Sequence, residues 1–297
     1  MKPDQIFSSK EVADMLGVNE SSVKRWTDSG KIKCIRTPGG HRKFRLEDVN
    51  DFLRVNNLGS VPFSDQLFQR RDDDNLPVAI RYRDYGILIP HFYRLALLAD
   101  SNEIFNFLTI LGMHDYPLAD LFDYLLSPVL VRIGTDWEMG KVSVDEEHAA
   151  TAAIFDSLIR LQFSSTRLPR NPHHALIAVL ENDFHEIPAK CMGILLDREG
   201  WNIHYLGANS PIFSIENAIR RQPPSVLILG STIAPDQNSP IPEAVEKIGR
   251  SLKNTGGHLI VGGSGLNSFR DTIPSVDWWA GSFRETLQFI RTRFSAN

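Results

Sequence analysis

The sequence predicts a multidomain protein of mixed α and α/β class: a small winged helical head, a four-helix bundle and a doubly wound parallel sheet. Three observations carry this. Residues 6–54 hold two short amphipathic segments followed by a basic hairpin with glycines at its turn. Residues 90–163 keep a helical apolar period. From His174 onward, short apolar runs alternate with helical patterns, which marks a parallel sheet covered on both faces. A chain of 297 residues has room for these parts as separate domains.

Composition sets the limits. With 42% hydrophobic and 23% charged residues, this is ordinary soluble composition. No apolar run reaches about 18 residues, so neither a membrane span nor a membrane partner is expected. The opening "MKPDQIFSSKEV" has no apolar core of a secretory signal. Cys34 and Cys191 are the two cysteines, which argues against a disulfide framework and for a cytoplasmic protein. The net charge of −4 is unevenly spread. Residues 1–55 hold 11 Lys and Arg against 8 Asp and Glu, or +3, leaving −7 for the remainder. A basic module on an acidic body points to nucleic acid.

The head, residues 1–55, begins with "FSSKEVADMLGVNESSVKRWTDSGKI". Ser8 or Ser9 can cap a first helix, with Glu11 placed as in a capping box. Val12, Met15 and Leu16 form its apolar face. Gly17 breaks the chain, Asn19 caps a second helix, and Val23 with Trp26 faces inward. The outward face then carries Ser21, Ser22, Lys24 and Arg25, which suit phosphates and base edges. In "RTPGGHRKFRLEDVNDFL", Pro38-Gly39-Gly40 makes a tight turn, so Arg36, His41, Arg42 and Lys43 ride on a two-stranded wing. Residues 6–54 resemble the winged helix-turn-helix of the MerR/excisionase family. The resemblance implies double-stranded operator DNA as partner, with Arg42 as the wing arginine and Lys24 and Arg25 as recognition-helix cations.

Residues 56–89 are expected to form a linker, rich in Asn, Gly, Ser and Pro with three consecutive Asp. Its end, "VAIRYRDYGILI", fits one strand or a short docking segment and stays unassigned. Residues 90–167 then read as the bundle, with Ser143 capping the last helix and Glu146 three residues on. Within it, Trp137 precedes the pair Glu147-His148 by ten positions. Taken alone, such a Trp is core and such a pair is solvated. The spacing, however, resembles the helical cap of CarH/LitR-type, cobalamin-dependent light-sensing repressors. The resemblance implies that Trp137 lies against the upper corrin face and that Glu147 and His148 fence the adenosyl group. Glu138 departs from that pattern. Photoreceptor members have a histidine there that binds cobalt once light removes the adenosyl group, and a carboxylate does not reproduce that product.

Residues 172–297 hold the runs "ALIAVL", "WNIHYLG", "SVLILGS", "HLIVGG" and "DWWAG", with helices beginning near Glu186, Pro211, Ser239 and Ser282. Five such units fit a flavodoxin-like (Rossmann-type) order, whose ligands bind at the carboxyl ends of the strands. Three loops fall at that edge: Asp183-Phe184-His185-Glu186, Ser231-Thr232, and Gly262-Gly263-Ser264-Gly265. Together they resemble the cobalamin-binding pattern D-x-H-x-x-G, S-x-[LT], GG. The resemblance implies His185 as lower axial ligand to cobalt, with Asp183 fixing its tautomer. Ser231, with Thr232 beside it, would line a channel for the benzimidazole tail, and Gly262 and Gly263 would let that tail pass. Pro188 stands where the motif has a glycine, which adds bulk beside the ligand.

The reading that follows is a DNA-binding transcription regulator, a repressor, and not an enzyme. Adenosylcobalamin would sit between bundle and Rossmann-type domain, light would act by cleaving the cobalt–carbon bond, and the chain would assemble as a dimer or tetramer. The alternative is a MerR-type regulator that senses haem or another tetrapyrrole, or works without cofactor, since His185 suits haem iron as well. A corrinoid enzyme fits worse, because the sequence offers no catalytic domain beside the module.

Overall fold

The computed structural model describes residues 6–15, 18–37, 39–45, 48–49, 52, 75–164 and 168–294. Leu16, Gly17, Pro38 and residues 56–74 of the expected linker lie outside the described residues, as does the side chain of Met15. The chain divides into two compact units, Met1–Ser165 and Thr166–Asn297.

The first unit opens with β1 (Ile6–Ser8), α1 (Ser9–Met15) and α2 (Glu20–Asp28). The wing is β2 (Ile35–Arg36) paired antiparallel with β3 (Arg42–Arg45), and β1 adds on the far side of β3 as a third strand. Val12, Val23, Ile32 and Phe44 are buried together, and the Trp26 ring packs on Phe52 with centroids 5.0 Å apart. Asn19 occupies the N-cap of α2 in an extended conformation, yet its side chain makes no capping bond.

Helices begin earlier than expected. "LPVAIRY" is α3 (Leu76–Tyr82) and the next helix, α4, is Tyr85–Leu97, so residues 76–89 are largely helical rather than linker. Pro77 sits in the first turn of α3, where its missing N–H costs nothing. Asp84 caps α4 by accepting from the Gly86 N–H at 3.0 Å. Then follow α5 (Ser101–Met113), capped by Asp100, and the short α6 (Leu118–Leu121). A π-helical turn, Phe122–Leu126, leads into α7 (Ser127–Glu138). Ser127 Oγ satisfies the Phe122 carbonyl there at 2.8 Å. The last is α8 (Val144–Ser164), which starts on the expected box: the Ser143 N–H donates to Glu146 Oε2 at 2.8 Å, and the Glu146 N–H returns to Ser143 Oγ. Phe92, Phe105, Phe107, Leu111, Phe122 and Leu125 fill the core between these helices.

The second unit is a five-stranded parallel sheet in the order β5-β4-β6-β7-β8. Its strands are β4 (His174–Leu180), β5 (Asn202–Ser210), β6 (Val226–Gly230), β7 (His258–Gly262) and β8 (Trp278–Ala280). Between and after them come α9 (Ile187–Arg198), α10 (Ile212–Arg221), α11 (Ile241–Asn254) and α12 (Phe283–Phe294). The order is the flavodoxin-like one, with the reversal of direction between β4 and β6. Leu176, Ala178 and Leu180 pack on Ile215, Val245 and Ile248. Ile177 points to the opposite face, where α9 passes over it at Gly193. That two-faced burial is why β4 reads as an unbroken apolar run.

Candidate functional site

In the head, α2 sorts its residues by helical geometry. Ser22 stands four positions before Trp26, on the same face, and is only 4% exposed. It was expected outward as a DNA contact; the fold turns it inward. Lys24 and Arg25 are exposed. Lys24 pairs with Glu20 at 3.0 Å. Arg25 is held by both oxygens of Asp115, at 2.6 and 3.1 Å, which raises its pKa. On the wing, His41 is exposed at the turn, and Lys43 lies in β3 flanked by Ser8 and Ile35. The Arg42 side chain is only 19% exposed: one end nitrogen meets Asp28 at 2.6 Å, and its Nε is buried without a partner among the described residues. Arg36 reaches the same Asp28 at 3.4 Å. Arg42 is thus a brace between wing and α2 rather than an open fork.

In the helical part, Trp137 stands on the last turn of α7 and is 45% exposed, with exposed Glu138 closing that helix. Its neighbour Asp136 anchors the turn. It accepts from Tyr93 Oη at 2.8 Å and Lys141 Nζ at 3.2 Å, while its carbonyl takes the Lys141 N–H. The hydrogen bond from Tyr93 leads the effects that hold its carboxyl below the usual range, burial opposing. Across that turn, Glu147 and His148 sit side by side on the first turn of α8, Oε2 to Nδ1 at 2.5 Å. Glu147 is half-buried and His148 exposed.

In the sheet unit, the loop after β4 is built on Asp183, which is 2% exposed. One oxygen accepts from the His185 N–H at 3.0 Å and from His185 Nδ1 at 2.8 Å. The other accepts from the N–H groups of Thr232 and of Ile233, the latter at 3.0 Å. Burial works against the charge, but these hydrogen bonds keep the carboxyl below its ordinary value. The loops after β4 and β6 are therefore joined through one carboxylate. A second stitch was not foreseen: Asn209, at the end of β5, accepts from the Asn182 N–H at 2.8 Å and donates its own N–H to the Asp183 carbonyl. Both Asn182 and Asn209 take positive φ, a conformation that asparagine tolerates better than most residues. Tyr205 adds a third tie by donating to Glu186 Oε2 at 2.9 Å.

His185 is 57% exposed along its side chain. Because Asp183 is a pure acceptor, His185 Nδ1 carries a proton, which in the neutral ring leaves the lone pair on Nε2. That is the tautomer a metal ligand needs. Ser231 is buried, its Oγ turned to the Ile233 carbonyl at 3.4 Å. Gly263 has φ +90°, and a Cβ there would overlap the Ser231 carbonyl; at Gly265 one would overlap Ser231 Oγ and the Ile233 carbonyl. These two glycines thus serve the packing of loop on loop. A Cβ on Gly262 would meet only Ala280 at ordinary contact distance. Pro188 occupies the first turn of α9 and is exposed.

Comparison with known proteins places names on two of these regions. A helix-turn-helix domain model matches residues 6–56, and a B12 binding domain model matches residues 87–161. The chain joins a helix-turn-helix domain to a B12 binding domain. It is similar to the HTH-type transcriptional repressor CarA of Myxococcus xanthus, 26% identical over 231 residues, covering 74% of each chain. CarH, a second HTH-type repressor of the same organism, is 24% identical over 270 residues, covering 86% of this chain and 88% of that one. Both are named as repressors, not as enzymes. Among solved structures, the monomethylamine corrinoid protein of Methanosarcina barkeri covers 76% of this chain and 98% of its own, at 16% identity and a TM-score of 0.49. A cobalamin-binding protein of Desulfitobacterium hafniense covers 72% and 95%, at 14% identity and a TM-score of 0.35. Trp137, Glu138, Glu147 and His148 all fall inside the B12 binding domain, and no helix among the described residues is long and apolar enough to cross a membrane.

Proposed function

We propose that this chain is a transcriptional repressor that binds operator DNA through its helix-turn-helix domain and is controlled by adenosylcobalamin and light. The observation that carries the reading is the His185–Asp183 pair, in a chain that also has a B12 binding domain. His185 offers one neutral imidazole nitrogen, oriented by a charged, buried carboxylate. Among the described residues no three His, Cys, Asp or Glu side chains gather to hold a metal ion. A metal bound at His185 therefore suits a macrocycle that fills the remaining positions itself. Within the B12 binding domain, Trp137 offers an exposed aromatic face, and Glu147 with His148 a polar pair, suited to a corrin and its upper group. When bound, adenosylcobalamin supplies a cobalt–carbon bond that light can cleave. A homo-oligomer, dimer or tetramer, completes the proposal, since one small head makes few phosphate contacts.

The test is reconstitution in the dark under anaerobic conditions, followed by absorption spectra and DNA binding before and after illumination. Uptake of adenosylcobalamin, with a spectral change and a change in DNA affinity on illumination, is expected. Uptake of haem in its place would favour the tetrapyrrole alternative, and uptake of neither would remove the cofactor from the mechanism.

Two further outcomes follow. Replacing Lys24 or Arg25 by Ala should lower DNA affinity and reduce the salt slope by roughly 1 each. Arg42→Ala should do more than that, because it also releases the wing from Asp28. Unchanged slopes in all three variants would take the head out of DNA binding. At Glu138 the chain offers an oxygen donor where the resembling photoreceptors have an imidazole. Illuminated wild type should then take up added imidazole readily, and Glu138→His should slow that uptake. A histidine-type spectrum in illuminated wild type would contradict this role for Glu138.

A further inference from the structure

Among the described residues of the head, Lys24, Arg25, Arg36 and Arg42 face carboxylates, and one partner differs in kind from the others. Lys24 pairs with Glu20, and Arg36 and Arg42 pair with Asp28, all inside the head. Arg25 pairs outside it, with Asp115 on the turn between α5 and α6 of the B12 binding domain. The contact is a two-bond fork, Nη1 and Nη2 of the guanidinium to the two carboxylate oxygens.

That turn is built rather than incidental. Arg83 donates to the Asp115 carbonyl at 3.0 Å and lies over the Tyr116 ring, 4.9 Å from its centroid. Tyr116 is buried and ties the turn to α3 through the Ile80 carbonyl at 2.8 Å. Asp115 itself takes φ +61°. Two residues before it, Met113 packs against the hydrophobic core of the head, an apolar contact independent of the ion pair.

From this we infer that the α5–α6 turn of the B12 binding domain is a latch on α2: Asp115 occupies the arginine that would otherwise meet DNA. The inference rests on the DNA-binding reading of the head. Asp115 fills the Nη1/Nη2 edge of the guanidinium, so that edge is closed to a phosphate or a guanine and only the Nε side stays open. The Asp115 charge beside α2 also repels the DNA backbone. Use of the end-on edge on DNA requires the contact to open, and any event that shifts the turn at Asp115 changes the cost of opening it. Both side chains are half in solvent, so the latch is weak and reversible, as suits a regulatory contact.

Full-length Asp115→Asn is the variant to use, because asparagine accepts the positive φ that Asp115 adopts. Binding of a labelled mixed-sequence DNA duplex would be measured at low salt in wild type, Asp115→Asn, Arg25→Gln and the double variant. The latch predicts that Asp115→Asn tightens binding about two- to fivefold, the range open to an exposed ion pair. It predicts a clearly smaller gain from the same substitution in the Arg25→Gln background, where only the repulsion of the DNA backbone is relieved. An equal gain in both backgrounds would mean a general charge effect and overturn the latch, as would no gain or a loss in wild type. If Arg25→Gln alone leaves binding unchanged, Arg25 is not a DNA contact, and the reading of the head fails at this residue together with the latch.

Discussion

His185→Ala is expected to abolish axial ligation and lower cobalamin retention by more than about 100-fold, while leaving the fold unchanged. The size follows from what a ligand does: loss of a mere outer partner of a ligating histidine already costs about 10- to 100-fold in metal affinity. The unchanged fold follows from position. The ring of His185 is half in solvent, and the side-chain hydrogen bond it makes is to Asp183. Its backbone N–H still reaches Asp183 after the substitution, so the loop keeps its anchor. Spectra of reconstituted wild type and variant decide the matter, with circular dichroism as the control for folding. A wild-type cobalt spectrum in the variant would mean that another group is the ligand.

The sheet and its loops were largely legible in the sequence, and the reason is physical. Parallel strands buried on both faces leave uninterrupted apolar runs, so "ALIAVL" announces β4 without ambiguity. The histidine and aspartate at its carboxyl end were legible because the ligand edge of such a sheet is fixed by topology. What the carboxylate does there was not. Its partners are backbone N–H groups of Thr232 and Ile233, 49 and 50 positions away, and backbone donors carry no sequence signal. Asn209 escaped for the same reason, although an asparagine at a strand end is a known carrier of positive φ.

The helical part was read less well at its start, where "VAIRYRDYGILI" stayed unassigned. That segment is α3 and the start of α4; Pro77 begins the one helix and Pro90 lies inside the other. Strand β1 has three residues and no period to detect; only its pairing with β3 defines it. Ser22 was within reach of the sequence, since its spacing from Trp26 puts it on the buried face. The pairing of Arg25 with Asp115, by contrast, joins residues 90 positions apart and belongs to tertiary structure alone.

Asp183→Ala should separate the scaffold from the ligand in a way that His185→Ala does not. It removes a buried charged acceptor and leaves the N–H groups of Thr232, Ile233 and His185 without it. Hydrogen bonds to a buried charge contribute about 1.5–3 kcal/mol each, and stranded donors cost about 1–3 kcal/mol more, though solvent entering the gap offsets part of this. A net loss of about 3–5 kcal/mol is expected, enough to lower the melting temperature of this sheet unit by on the order of 10 °C. Cobalamin binding should fall as well, for two reasons at once: His185 loses the acceptor that fixes its Nδ1 proton, and the loops after β4 and β6 lose their common anchor. Asp183→Asn sharpens the distinction. The amide keeps one oxygen for part of the N–H set, but its NH2 group must face N–H donors wherever the second oxygen stood. Thermal melts without ligand give the answer directly. If Asp183→Ala melts like wild type while His185→Ala does not, the roles assigned to these two residues are reversed, and the histidine rather than the aspartate holds the loop together.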